Sequence, residues 1–243
     1  MHTLVNNTRI NNLSLDLSIL SKEMIYPCVT IPLLDILLCR MISNKARWFQ
    51  LHSVVNLVIL FIISSDVKKY YIDLFQAIEL KSSNLDNYFI IVLHIYHCLS
   101  FHNLKFLDYF HHILFILTGV FPCTFILKTN ISRLITFTGC GFPGLIEYTT
   151  LVMMKHEYLT PLQQKNINSY MYTYVRTPLT IFNTSFIFIA YHYGYFSYEN
   201  IYVLFYVATL TYFNGTFYNK LAVENYRDTY NNKYLKYDKD IQV

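Results

Sequence analysis

Charge is scarce in this chain: 14% of its 243 residues are Asp, Glu, Lys or Arg, against 54% hydrophobic. That balance, with a mean hydropathy of +0.30, excludes an ordinary soluble domain and predicts one integral membrane domain without a soluble partner domain. Glycine and proline are short as well, six of each, which leaves little room for linkers or a disordered region. The net charge is only +4, and the basic residues are scattered between apolar runs. Nucleic acid is therefore not an expected partner. The five cysteines (Cys28, Cys39, Cys98, Cys123, Cys140) form no Cys-x-x-Cys pair, so free thiols are expected, not a disulfide framework or a zinc knuckle. No Gly-x-Ser-x-Gly occurs, which removes the serine-hydrolase elbow. The first twenty-odd residues lack the basic start, apolar core and small-residue cleavage site of a secretory leader. The first apolar segment is expected to be an uncleaved anchor.

What is present is a series of apolar runs of membrane-spanning length. They cover Met24 to Ile42, Trp48 to Ser64, Tyr88 to Phe101, Leu107 to Leu127, Ile131 to Met154, Tyr170 to Ala190 and Ile201 to Tyr218. The fold expected is all-α, a polytopic bundle of about seven transmembrane helices over residues 24–219. A polar segment, 1–23, precedes it and a charged tail, 220–243, follows. A polar interval from Ser65 to Asn87 holds a short interfacial helix at its centre, Tyr70 to Leu80. A second polar loop runs from Lys155 to Ser169. The fifth run is interrupted at 139–144 by Gly-Cys-Gly-Phe-Pro-Gly, which predicts a kink or a re-entrant piece, not a phosphate loop.

With seven spans and an outer N-terminus, eleven Lys and Arg side chains fall on the inner side and seven on the outer, Arg133 among the latter. The bias places the C-terminus in the cytosol. Asn6 and Asn12 open Asn-x-Ser/Thr triplets in the outer N-terminal segment, where they are candidate glycosylation acceptors.

Ionisable groups inside hydrocarbon cost several kcal/mol unless they face a polar interior, so each is a candidate for function. The fourth run opens Asp108-Tyr-Phe-His111-His112. Asp108 and His111 are three apart and share a helical face, a spacing that lets the carboxylate orient the imidazole as a base or nucleophile. His112 points about 100° away and is an equal rival for that role. His94 and His97, three apart on the preceding run, are expected to face the same cavity. His52 and Asn56, four apart, either line it or tie helices together through the amide. Glu147 reads as a cavity carboxylate or as the partner that Arg176 needs. Arg47 and Trp48 are expected at the membrane interface. A di-iron centre is not expected, because no His-x-x-x-His occurs; four imidazoles suffice for one zinc, but no metal site is assigned.

Arg47-Trp48-Phe49, then His52 and Asn56, then a His-bearing run, then Asp108 to His112 form an ordered pattern. It resembles the TLC-domain family, the membrane fold of ceramide synthases and of smaller lipid-associated proteins, over about residues 24–219. The resemblance implies a helical bundle around a lipid-accessible cavity in the endoplasmic reticulum, with a cytosolic C-terminus and a membrane lipid or fatty acyl substrate. In ceramide synthases the paired histidines serve acyl transfer from acyl-CoA, and the matching positions here are His111 and His112. No bound cofactor is implied; acyl-CoA enters only as a co-substrate. The synthases' His-Asp-x-x-Asp stretch has no counterpart, and Gly-Phe-Pro-Gly-Leu-Ile-Glu-Tyr (141–148) stands nearest to it. That departure brings the chain closer to the smaller relatives, for which lipid sensing, transport or control of membrane composition stands beside catalysis.

Overall fold

A computed structural model describes residues 17–79, 83–102, 104–127 and 129–241, with backbone alone for 17–21, Glu79 and 234–241. The triplets at Asn6 and Asn12 lie outside the described residues. All regular structure among the described residues is helical. In chain order the helices are α1 (Leu17–Met41), α2 (Arg47–Ile72), α3 (Leu74–Glu79), α4 (Leu85–Ser100), α5 (Phe106–Phe125), α6 (131–155), α7 (161–192) and α8 (Ile201–Ile241). Each of the seven apolar runs falls on one of them, α3 excepted. Three are long and apolar enough to cross a membrane by that measure alone, over Lys22–Met41, Arg47–Ile72 and Phe106–Phe125.

The α2 sequence shows how the bundle suits a membrane. Leu51, Val55, Ile59, Ile63 and Val67 recur every fourth residue and are buried, a single stripe facing the other helices. The opposite side is no more polar: Phe61 is 83% exposed and Leu57 55%. A helix stretch that is apolar on its outer face as well needs an apolar neighbour there, and a membrane supplies one. In lipid the hydrophobic drive between helices weakens, and packing and polar contacts hold them together. Such contacts are present at both ends. Asp35 on α1 takes Arg47 from the start of α2, with Nε at 3.0 Å, and the Tyr96 hydroxyl of α4 at 2.7 Å. At the far end the Arg133 guanidinium of α6 meets Asp86 of α4 at 3.3 Å and Asp66 of α2 at 3.8 Å, and donates to the Ser83 carbonyl. Arg133 is thus no free outer charge, as the charge count had it, but a buried tie between three helices.

The polar intervals are shorter than expected. The expected helix at 70–80 is split, because α2 runs on to Ile72 and the extended backbone of Asp73 separates it from α3. Leu80 lies outside the described residues. The loop after α6 narrows to five residues. Thr160 accepts from the Gln163 amide and Gln163 accepts from the Thr160 amide, a capping box with Pro161 at the first helical position. In that loop Glu157 pairs with Lys45 at 2.8 Å, which holds its carboxyl below the usual carboxylate range. Both side chains are exposed, so water screens the pair. The 220–243 segment is no separate element either; through Ile241 it continues α8.

Glycine and proline at 139–144 do not interrupt α6. The helix widens into a π stretch, Phe137–Gly141, and continues. Two further π stretches occur, His112–Val120 in α5 and Tyr172–Arg176 in α7. Each ends two residues before a proline: Pro122, Pro143 and Pro178. A proline has no N–H for the carbonyl four residues back and its ring crowds that carbonyl, so the ladder shifts to a wider register. Those widened turns carry His112, Gly139 and Arg176.

Candidate functional site

The cavity lies between α2, α4, α5, α6, α7 and α8 and encloses about 260 Å³. Along α4 its wall runs from Asn87 to His97, ten residues or about 15 Å at the helical rise. One end is rich in polar and aromatic groups: Trp48, His97, Asp108, His111, Glu147 and Tyr218 border it. Toward the other end the wall is mostly apolar, with Ile90, Ile116, Gly119, Cys123 and Val207, and Asn87, Ser132 and Thr136 set among them. Thr180 and Thr211, also on the wall, turn their hydroxyls back onto the carbonyls of Arg176 and Val207. The chamber is therefore polar at the end where α2 begins and largely greasy beyond it.

Four imidazoles cross between α4 and α5 as two rungs. His94 Nε2 lies 3.2 Å from His111 Nε2, and His97 Nδ1 lies 3.3 Å from His112 Nε2. The three-residue step on α4 faces the one-residue step on α5, where the helix is widening. One rung has a definite direction. His94 Nδ1 is 2.7 Å from the Ile90 carbonyl, which only accepts, so Nδ1 carries the proton. In a neutral ring Nε2 then accepts, and His111 must donate from its own Nε2. His111 Nδ1 is left to accept from the Tyr218 hydroxyl at 3.0 Å. The donors run in the order Tyr218 O–H, His111, His94, and the chain ends on the Ile90 carbonyl as acceptor.

The other sequence candidates fall as follows. His52 and Asn56 join each other at 3.2 Å, and the His52 ring stacks on Tyr148 at 3.8 Å between centroids. His52 borders the cavity and Asn56 does not; the amide ties His52 within α2 and does not join two helices. Asp108 stands at the rim but is not the partner of His111. Its carboxylate accepts the Lys105 amide at 2.7 Å as a cap on α5, and Tyr218 and His94 occupy both His111 nitrogens. Glu147 borders the cavity and accepts from the Tyr172 hydroxyl. Arg176 does not pair with it; Nη2 donates to the Gly139 carbonyl at 2.7 Å and to Asn214 Oδ1 at 2.5 Å. The Gly139 carbonyl is the one that Pro143 releases, so a helix defect and a buried cation satisfy each other. Trp48 forms a wall of the site, stacked on His97 at 3.5 Å between ring centroids. Among the described residues, no group of three or more His, Cys, Asp or Glu is placed to hold a metal ion. The described cysteines are free.

No family model matches the chain, and neither a curated protein nor a solved structure matches it. The TLC resemblance stands on the residues quoted for it.

Sequence reading missed Tyr148, Tyr172, Asn214 and Tyr218. A signal was there: Tyr172 precedes Arg176, and Asn214 precedes Tyr218, by four residues within apolar runs, so each pair shares a face. Twenty-three tyrosines in the chain diluted it.

Gly144 explains how His52 is held. A Cβ there would stand 2.6 Å from Asn56 Nδ2, well inside contact distance. Gly144→Ala is expected to push the amide off His52 and to destabilise the protein by about 1–3 kcal/mol. Thermal unfolding in detergent measures it, and Asn56→Ala in the same chain should recover part of the loss. An unchanged melting temperature would remove the contact from the account.

Proposed function

We propose that this chain is a TLC-like integral membrane protein of about seven spans, resident in the endoplasmic reticulum with its C-terminus in the cytosol. It acts in lipid metabolism by admitting a fatty chain to the cavity and transferring an acyl group to a lipid amine or hydroxyl. The observation that carries this is the directed chain from Tyr218 through His111 to His94 at the polar end of a chamber whose other end is mostly apolar. In the acyl step the acceptor attacks the carbonyl of an acyl-CoA thioester. As it does so it gives its proton to the Tyr218 oxygen, while the Tyr218 proton passes to His111 Nδ1. The C–S bond breaks, and the CoA thiolate leaves with the proton returned along the same path. His111 is the general base, and His112 supports the second rung. The inner excess of basic residues supports the orientation.

A second reading has its own support. Every ring nitrogen of His94, His111 and His112 already has a neighbour at hydrogen-bond distance, which suits a rigid lipid binder that performs no chemistry and controls membrane lipid composition by sensing or transport. The test is to substitute His111→Ala and His112→Ala separately, profile membrane lipids, and assay purified protein with a fluorescent acyl-CoA against amine and hydroxyl acceptors. Transfer by the wild type that His111→Ala abolishes is the expected result. A lipid profile that depends on the protein yet survives both changes would eliminate histidine chemistry and leave the binder.

A further inference from the structure

Among the described residues two arginines are more than nine-tenths buried, Arg133 and Arg176. Arg133 has its counter-charges in the chain, Asp86 at 3.3 Å and Asp66 at 3.8 Å. Arg176 has no carboxylate at ion-pair distance among the described residues. Its Nη2 is held by two neutral oxygens, and its guanidinium lies over the rings of Tyr172 and Tyr218 at 4.7 and 5.3 Å. Its Nε is buried with no hydrogen-bond partner among the described residues. Two neutral acceptors and two ring faces lower the cost of a cation at this depth without balancing its charge. Glu147 shares the cavity wall, but its carboxylate takes the hydroxyl of the same Tyr172 whose ring Arg176 covers.

We infer that Arg176 is the cation for an anionic headgroup, a carboxylate or a phosphate monoester, on a single-chain lipid seated in this cavity. The inference rests on the lipid-binding reading above and narrows its substrate class. Asn214 and Tyr218 flank the guanidinium, so the headgroup oxygens sit beside the hydroxyl that bonds His111. The tail runs the other way, toward Val207, seven residues or about 10 Å from Asn214 along α8. Glu147 is the opposing charge in the same wall, and it disfavours an anion there. The two side chains therefore predict effects of opposite sign.

Trp48 is the only tryptophan and borders the cavity, so its fluorescence reports occupancy of the full chain in lipid nanodiscs. The probes are palmitate, palmitoyl lysophosphatidate, hexadecanol as the neutral analogue, and inorganic phosphate. At least one of the two anionic lipids is expected to bind at least about tenfold more tightly than hexadecanol, the scale of a hydrogen bond to a charged group. Arg176→Gln should abolish that preference while leaving hexadecanol binding in place, and Glu147→Gln should enlarge it. Preference for one anion over the other identifies the headgroup. Equal binding of neutral and anionic lipids by the wild type overturns the inference and leaves the lipid reading intact. So does an Arg176→Gln chain that keeps the preference, or one that loses all lipids together as a merely structural change would. Phosphate alone, binding as tightly as lysophosphatidate, would make this a site for a free anion and overturn the lipid assignment. Binding of no lipid at all would sink the cavity reading together with this one.

Discussion

Asp86→Ala is expected to lower stability by about 3–5 kcal/mol, the largest effect of any single change at the bundle's ends. Asp86 is fully buried at the start of α4, and Arg133, 3% exposed, faces it from α6. Removing the acid strands the guanidinium with the more distant Asp66, which already shares Lys69 at 3.2 Å. A buried charge without its counterpart keeps its desolvation penalty and loses the attraction that offset it. The penalty belongs to the orphan and not to the pair, so Asp86→Ala with Arg133→Leu should recover most of the loss. Equilibrium unfolding in mixed micelles measures both chains. A single variant as stable as the wild type would mean that Arg133 reaches water, and its role as a tie between α2, α4 and α6 would have to be given up.

Helix positions were legible in the sequence because they depend on local patterning. Each apolar run lies on one helix, and the order of His52, His94, His97, His111 and His112 already brought imidazoles from three helices toward one region. Partners were not legible. Asp108 and His111 have the spacing of a helical pair, but a carboxylate in the first turn of a helix has a nearer claim on it, the unsatisfied amides there, and Lys105 N–H takes it. By charge alone Glu147 read either as a cavity carboxylate or as the mate of Arg176. In three dimensions a backbone carbonyl freed by Pro143 competed and won. The defect was readable as a kink, whereas its use as an acceptor depends on which helix packs beside it. Tyr218 lies more than a hundred residues from His111 and shares no periodic pattern with it, so only the folded chain brings them to 3.0 Å.

Those defects also bear on why the site sits where it does. A straight α-helix shows a neighbour the same face turn after turn, whereas a π stretch rotates the face and frees a carbonyl. All three prolines that follow such stretches lie on helices of the cavity wall. They place His112, Gly139 and Arg176 on the inside of helices that present Ile113, Leu117 and Phe182 to the outside. Polar groups are thus concentrated inward without reducing the greasiness that a lipid-facing surface requires.

Tyr218→Phe separates chemistry from binding at that site more cleanly than any histidine substitution. It removes one O–H, keeps the ring under Arg176, and leaves His111 Nδ1 without its donor. Where Tyr218 relays the proton to His111, turnover in the acyl-CoA assay is expected to fall by about 10²–10⁴-fold, while the affinity for lipid read from Trp48 stays near the wild-type value. Tyr172→Phe is the matched control. It removes a hydroxyl from the same wall that bonds Glu147 and no imidazole, so its turnover should change far less. Equal losses in the two variants would mean that both hydroxyls only shape the pocket. A silent Tyr218→Phe beside an inactive His112→Ala would shift the base to the second rung, where His112 meets His97 and the Cys98 thiol at 3.3 and 3.1 Å. The first rung makes three hydrogen bonds and the second two, and what favours the first is direction. The Ile90 carbonyl assigns each proton along it, so a proton entering at Tyr218 has one way to move.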